Sequence, residues 1–294
     1  MRKIYLLFYL VSLTMLADAQ VNITSAGTAF TQDFNSLSST GTANSWVDNT
    51  TIVGWYANQA TYRADAGGSN TGAMYSYGAA SDPERALGAV TSSGVSTVYF
   101  GVRLKNTTGS SLASFLVAYT GEQWRQTANA QKLVFEYSTN ATSITTGTWT
   151  PVTSLDFTAP KTGTAGALDG NLTANKTAIS GTVASTVADN GEIWFRWTKT
   201  SSTSPGLAID DFSVTASGTA VSTITTGSVS ATSFCIDAST PGTGTVAFTS
   251  TGTYNTTFTA YLSDASGSFG SPVNIGSTTV SGSDPSGSIN LSIP

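Results

Sequence analysis

The stretch Val98-Tyr99-Phe100-Gly101-Val102-Arg103-Leu104-Lys105 decides the fold. Val98, Phe100, Val102 and Leu104 stand at every second position, and Tyr99, Gly101, Arg103 and Lys105 fill the places between. A period of two sends alternate side chains to opposite faces of an extended strand, so one face meets a core and the other something wetter. The pattern recurs downstream. Ser114–Thr120 carries Phe115, Val117 and Tyr119, and Lys132–Tyr137 carries Leu133, Phe135 and Tyr137. Ile193–Trp197 sets Ile193, Phe195 and Trp197 against Trp194 and Arg196. Turn-forming residues separate these runs: Asn106-Thr107-Thr108-Gly109, Thr146-Gly147 and Asp189-Asn190-Gly191. Helical periodicity is nearly absent. The reading is an all-β chain built as a two-sheet sandwich.

Composition agrees and narrows the chemistry. The 294 residues include 41 Ser and 50 Thr, while charged residues are only 10%, against about a quarter in ordinary soluble domains. Threonine suits a pleated surface because its Cβ is branched. Aromatics at 10% and hydrophobics at 39% suffice for a core. The absence of histidine excludes Ser-His-Asp triads, Cys-His dyads and histidine zinc sites. A single cysteine, Cys235, excludes an intrachain disulfide framework and a thiolate zinc cluster. It reads as a small buried hydrophobe or as half of a disulfide whose partner lies beyond Pro294. With a net charge of −5, the chain lacks the basic surface that nucleic acid requires.

The N-terminus carries an export signal. Arg2 and Lys3 precede an apolar run, Ile4 to Leu16, too short to span a bilayer, and Ala17-Asp18-Ala19 fits a cleavage site. Residues 1–19 are therefore expected to be removed, leaving no membrane span. A sandwich domain is expected over residues 20–217. Ala216 to Val221 is a linker of small residues, and no Lys or Arg occurs from Thr200 to Pro294. Gly227–Ser230, Thr245–Thr249, Phe258–Leu262 and Val273–Ile275 predict a second, small β domain over residues 218–294 that reads as incomplete.

Several blocks in order carry a family resemblance. They are Phe30-Thr31-Gln32-Asp33-Phe34-Asn35-Ser36-Leu37, Gly54-Trp55-Tyr56-Ala57, Thr61-Tyr62-Arg63-Ala64, Arg85-Ala86-Leu87-Gly88, Gly121-Glu122-Gln123-Trp124-Arg125 and Leu207-Ala208-Ile209-Asp210-Asp211-Phe212-Ser213-Val214. Roughly residues 28–215 resemble the secreted jelly-roll modules at the front of large Bacteroidota surface and extracellular proteins, distant relatives of carbohydrate-binding and MAM-type β-sandwiches. The tail, from Ile224-Thr225-Thr226-Gly227 onward, is similar to Ig-like repeats of type IX-exported proteins. The resemblance implies a two-sheet jelly-roll sandwich followed by an incomplete Ig-like β-sandwich. It also implies a secreted or cell-surface location and a non-catalytic adhesion or glycan-binding role with a polysaccharide partner. The alternatives are a structural spacer presenting downstream domains, or an accessory module of a secreted hydrolase or nuclease. In related sandwiches an Asp placed like Asp210 closes a structural calcium site with oxygens of the first strand. Here those oxygens would come from Asp33 or Asn35, although the family more often has Asp at the latter position.

The residues supply their own candidates. By alternation Asp210 shares a face with Phe212 and Val214, and an inward carboxylate is costly unless it is paired or bound to a cation. The simpler alternative is a carboxylate accepting backbone N–H groups at a strand end. On the wet face stand Tyr99, Arg103, Glu136, Trp194 and Arg196, with Glu122, Trp124 and Arg125 on an adjacent strand. Aromatic planes beside Arg and Glu suit sugars: the rings cover C–H faces and the charges bond hydroxyls. Against that stands internal pairing, Arg103 with Glu136 and Arg196 with Glu122, with the tryptophans covering the sheet edge. Trp55, Tyr56, Tyr75 and Tyr77 form a third aromatic group near Gly/Ser-rich loops. A two-carboxylate glycosidase would draw on Glu122, Glu136 or Glu192, but no spacing singles out an acid and a nucleophile, so no catalysis is expected.

Overall fold

The computed structural model describes residues 20–200, 205–218, 223–231, 233–237 and 239–294. The expected signal peptide, residues 1–19, lies outside them. The chain divides into two units, Met1–Gly218 and Thr219–Pro294.

The main strands of the first unit are β1 (Val21–Ile23), β2 (Ala29–Gln32), β3 (Trp55–Ala57), β4 (Thr61–Asp65), β5 (Ala73–Tyr77) and β6 (Ala86–Val90). They continue with β7 (Thr97–Asn106), β8 (Leu112–Gln126), β9 (Lys132–Ser138), β10 (Lys176–Val187), β11 (Glu192–Thr200) and β12 (Gly206–Gly218). One sheet runs β1-β7-β11-β9, with β3 also on β7. The other runs β8-β12-β6-β5-β4, with β10 on β8 and β2 on β12. From Thr97 onward consecutive main strands alternate between the sheets, so neighbours within a sheet are distant in sequence. The expected sandwich is present, and its runs face as the alternation requires. Val98, Phe100, Val102 and Leu104 are fully buried between the sheets with Phe115, Val117, Leu133, Phe135 and Phe195.

Trp197 is the centre of that core. Its ring stacks on Trp55 at 5.9 Å and meets Tyr119, Phe135 and Phe212 edge-on at 5.2–5.5 Å. Four strands from both sheets, together with β3, therefore converge on one indole. Large, rigid rings in edge and stacked arrangements add specific geometry to the area they bury.

β12 departs from simple alternation. Asp210 pairs with Thr120 and Ser213 with Ala118 on β8, so β12 spends one extra residue over that step. Such a bulge leaves one residue outside the ladder and reverses the parity of the residues beyond it. Asp211 takes it up at φ +48°, a conformation that aspartate tolerates better than most side chains. Leu207 and Ile209 point into the core, and so do Phe212, Val214 and Ala216. Asp210 thus does not share the face of Phe212 and Val214. It lies on the outer face of its sheet with Ala208, because the bulge intervenes.

The second unit contains β13 (Thr223–Val229), β14 (Gly242–Thr251), β15 (Thr253–Leu262), β16 (Val273–Ser283) and β17 (Gly287–Ile293). β13-β14-β17 form one sheet and β15-β16 a hairpin. Phe248, Phe258, Ile275, Val280, Ile289 and Leu291 make its small core. Beside them is an apolar groove of about 1000 Å³. Cys235 is exposed rather than a buried hydrophobe. No helix among the described residues is long and apolar enough to cross a membrane.

Candidate functional site

The outer face of the second sheet gathers three carboxylates. Glu122 comes from β8 and Asp210 from the adjoining β12. Glu84 arrives from the turn between β5 and β6, which is built tightly. Ser81 adopts φ +63°, and Glu84 N–H bonds Asp82 Oδ1 at 3.0 Å. Arg85, 1% exposed, pins the turn by donating to Ser76 Oγ at 2.8 Å, to Ser76 O and to Ala79 O. Its backbone N–H bonds Asn35 Oδ1 at 2.8 Å. One oxygen from each of Glu84, Glu122 and Asp210 lies within 4.8 Å of the others.

Neighbouring groups orient these carboxylates. The Trp124 indole N–H bonds Glu122 Oε2 at 2.8 Å, and Asn171 Nδ2 bonds Glu84 Oε2 at 2.5 Å. Glu84 Oε1 and Asp210 Oδ1 are buried and receive no N–H or O–H donor from the surrounding groups. Glu122 is 1% and Asp210 7% exposed. Desolvation pushes the Glu122 carboxyl up to about 7 against the bond from Trp124. Asp210 is pushed up as well, by burial first; the Asp211 backbone N–H opposes this, while the charges of Asp211 and Glu122 and a side-chain hydrogen bond with Glu84 add to it. No Lys or Arg among the described residues forms an ion pair with the cluster; Lys176 opposite Glu122 on β10 is exposed.

Asp33 and Asn35 do not join Asp210. The bulge turns the two aspartates of β12 apart, and Asp33 shares a shallow cavity with Asp211 instead. Asn35 Oδ1 is committed to the Arg85 N–H, and its own N–H bonds Asp33 Oδ1 at 3.1 Å.

Trp124 is no open platform. It is 1% exposed and stacks on Tyr77 at 5.9 Å, which stacks on Tyr75 at 4.9 Å. Gly170 closes over the indole: a Cβ there would stand 2.3 Å from Trp124 Nε1. Arg125 donates to Gly67 O and Gly68 O at 3.2 and 2.9 Å and holds the loop above the same face.

The outer face of the first sheet carries the other candidates. Trp194 is 2% exposed beneath Ala141 and Ile144, with Tyr56 tilted against it at 4.7 Å. It too offers no free ring face. The expected ion pairs form with other partners. Arg196 Nε bonds Glu136 Oε2 at 2.9 Å because the two residues are register partners on β11 and β9. Arg103 pairs bidentately with Glu192. It cannot take Glu136, since β11 lies between their strands, and Glu122 belongs to the other sheet. The bond to Glu192 raises the pKa of the Arg103 guanidinium; burial raises Glu192, but the bonds from Arg103 and Gln20 hold it below its ordinary value. The Arg196 guanidinium also lies between Tyr99 (4.5 Å) and Trp149 (3.8 Å). Tyr56, Tyr99 and Trp149 remain half-buried.

Sequence reasoning missed Glu84 and Trp149. Glu84 sits in Asp82-Pro83-Glu84-Arg85, where two acids in a turn are the only signal. Trp149 comes just after Thr146-Gly147, which marks a turn but says nothing of where the ring lands.

No protein-family model and no curated protein matches the chain. Among solved structures, the chain is similar to the K2 cleaved adhesin domain of Lys-gingipain, at 18% identity over 64% of this chain and 97% of that one, with a TM-score of 0.33.

Proposed function

We propose that the first unit is a non-catalytic adhesion module of an extracellular protein that binds carbohydrate on the outer face of its first sheet. One observation carries the reading: the half-buried rings of Tyr99 and Trp149 flank Arg196, and the half-buried Tyr56 packs on Trp194, over which Arg103 lies. Rings of this kind cover the C–H faces of a sugar, and the Arg103–Glu192 pair, about 30% exposed, offers polar groups to its hydroxyls. The acidic groups with raised proton affinity, Glu122 and Asp210, are sealed from solvent, so they argue against a hydrolase.

Affinity electrophoresis of the secreted chain against a panel of soluble polysaccharides tests this. Losing one stacked ring is worth about 1 kcal/mol, close to a fivefold loss of affinity. Trp149→Ala and Tyr99→Ala should each weaken retention by about that factor. A wild-type chain retained by none of the polysaccharides would favour the spacer reading, which the burial of Trp124 and Trp194 supports. Release of reducing sugar, abolished by Glu122→Gln, would sink the non-catalytic reading.

A further inference from the structure

We propose that the apolar groove of the second unit receives an extended strand of another polypeptide, one with apolar side chains at alternate positions and lysine or arginine among them. The inference is independent of carbohydrate binding. The two layers of this unit meet on one side. There a Cβ on Gly276 of β16 would stand 2.1 Å from Asn290 O of β17, so the layers touch. On the other side the Tyr254 hydroxyl of β15 donates to Thr223 O of β13 at 3.0 Å. Beyond that bond the groove opens, with Ile224 on one wall and Thr257 on the other. β15 gives the wall six consecutive residues, Thr257 to Leu262. Side chains of both parities are among them, so the groove runs along the edge of the strand and not merely over its apolar face. That edge is free: among the described residues β15 pairs with β16 alone.

A bare strand edge beside an apolar floor selects its occupant. The edge presents backbone N–H and C=O groups in a row, and another strand is what answers such a row. The floor, made by Phe248, Phe258, Ile275, Ile289 and Leu291, takes apolar side chains from every second position of that strand. Phe269 and Tyr261, 61% and 52% exposed, add apolar surface at the wall. Edges left to water are usually guarded by charge or proline. Thr253–Leu262 contains neither, and its register against β16 is regular from Thr253 to Ala260. Charge separates a foreign strand from a second copy of this chain. Residues 219–294 hold Asp237, Asp264 and Asp284 and no Lys, Arg or Glu, and the whole chain stands at −5. Two copies therefore repel, while a basic strand is drawn in.

The test uses the whole secreted chain and a synthetic peptide of alternating Val and Thr with two Lys at each end. Fluorescence anisotropy follows binding of the labelled peptide, and amide exchange follows Thr257–Leu262. The peptide should bind and slow exchange at the outward amides of β15. A twin with Glu in place of Lys should bind about tenfold more weakly at low salt, and the gap should narrow in molar salt. A twin with Pro at the central Val should not bind, because Pro removes a ladder donor. Phe269→Lys should weaken binding of the Lys peptide by about tenfold or more. It should leave the melting temperature unchanged, since the ring is already mostly exposed. Phe269→Leu should retain most of the affinity. No binding of the Lys peptide, or equal binding of the Glu or Pro twin, would overturn the proposal. So would β15 amides that are fully protected without peptide. Sedimentation velocity then names the occupant: the chain itself in a monomer, a second copy in a dimer.

Discussion

Trp194→Ala separates a residue waiting for a ligand from a residue holding the fold. A binding-face tryptophan open to water changes stability by no more than about 0.5 kcal/mol when truncated. Trp194 is 2% exposed, packed against Tyr56 and roofed by Ala141 and Ile144. A buried tryptophan removes about 150–250 Å² from water, worth ~4–6 kcal/mol at ~25 cal/mol/Å² as an upper bound. Two features reduce that figure. The roof is a loop able to settle into the space, and Trp194 Nε1 is buried without a partner, so its removal gives back about 1–3 kcal/mol of desolvation. The net loss should be ~2–4 kcal/mol. At ~2–4 °C per kcal/mol for a unit of about 200 residues, melting falls by about 5–15 °C. Calorimetry reads this directly, and amide exchange at Ala141 and Ile144 should accelerate in the same variant. A fall of under about 2 °C, with exchange unchanged, would show that the loop does not cover this face and that Trp194 is free for a partner.

Other consequences are smaller or more local. Burial pulls the Lys199 ammonium down to about 7, with Gln131 Oε1 at 2.6 Å as hydrogen-bond partner, whereas an unfolded lysine titrates near 10.4. The folded chain then sheds its proton first, so this group's contribution is lost as pH falls from about 10 to about 7. The stability of wild type relative to Lys199→Met should accordingly rise between pH 6.5 and pH 9 in urea titrations, and a flat difference would count against a buried neutral lysine. Gly101→Ala would set a Cβ 2.0 Å from Phe195 O, on the backbone of a paired central strand. It should destabilise by about 1–3 kcal/mol or more, read from the denaturation midpoint. Arg103→Gln breaks a pair whose side chains are about 30% exposed; the loss should stay below about 1 kcal/mol and shrink in molar salt.

The core was legible because alternation is a property of the strand itself. Val98 to Leu104, Phe115 to Tyr119 and Ile193 to Trp197 all face as their spacing requires. Alternation assigns a side chain to a face, however, and not to what covers that face. Trp124 and Trp194 do lie on outer faces, but Gly170 covers one, and Ala141 and Ile144 cover the other. Those covers come from loops, which carry no period to read. The face of Asp210 was misread for a different reason: one extra residue at Asp211 reverses the parity, and nothing in Ala208-Ile209-Asp210-Asp211-Phe212 marks which residue is extra. Glu84 was invisible because it reaches the cluster from a turn fixed by Asn35, a side chain 50 residues away in sequence.

The two outer faces also handle charge differently. On the first sheet Arg103 has Glu192, and Arg196 has Glu136 together with two rings. Each guanidinium there meets a carboxylate within its own sheet. On the second sheet three carboxylates converge and no arginine is directed to them, although Arg85 comes directly after Glu84 in sequence. A chain with only 12 basic residues still pairs its arginines where pairing holds a surface together. Where it withholds them, at oxygens already oriented by Trp124 and Asn171, the carboxyls hold protons more tightly instead: burial raises Glu122 to about 7, and Asp210, hydrogen-bonded to Glu84, rises with it. Protons held there contribute stability to β8, β12 and the β5–β6 turn at low pH, and that contribution is lost as pH rises from about 4.5 to about 7 and Glu122 ionises.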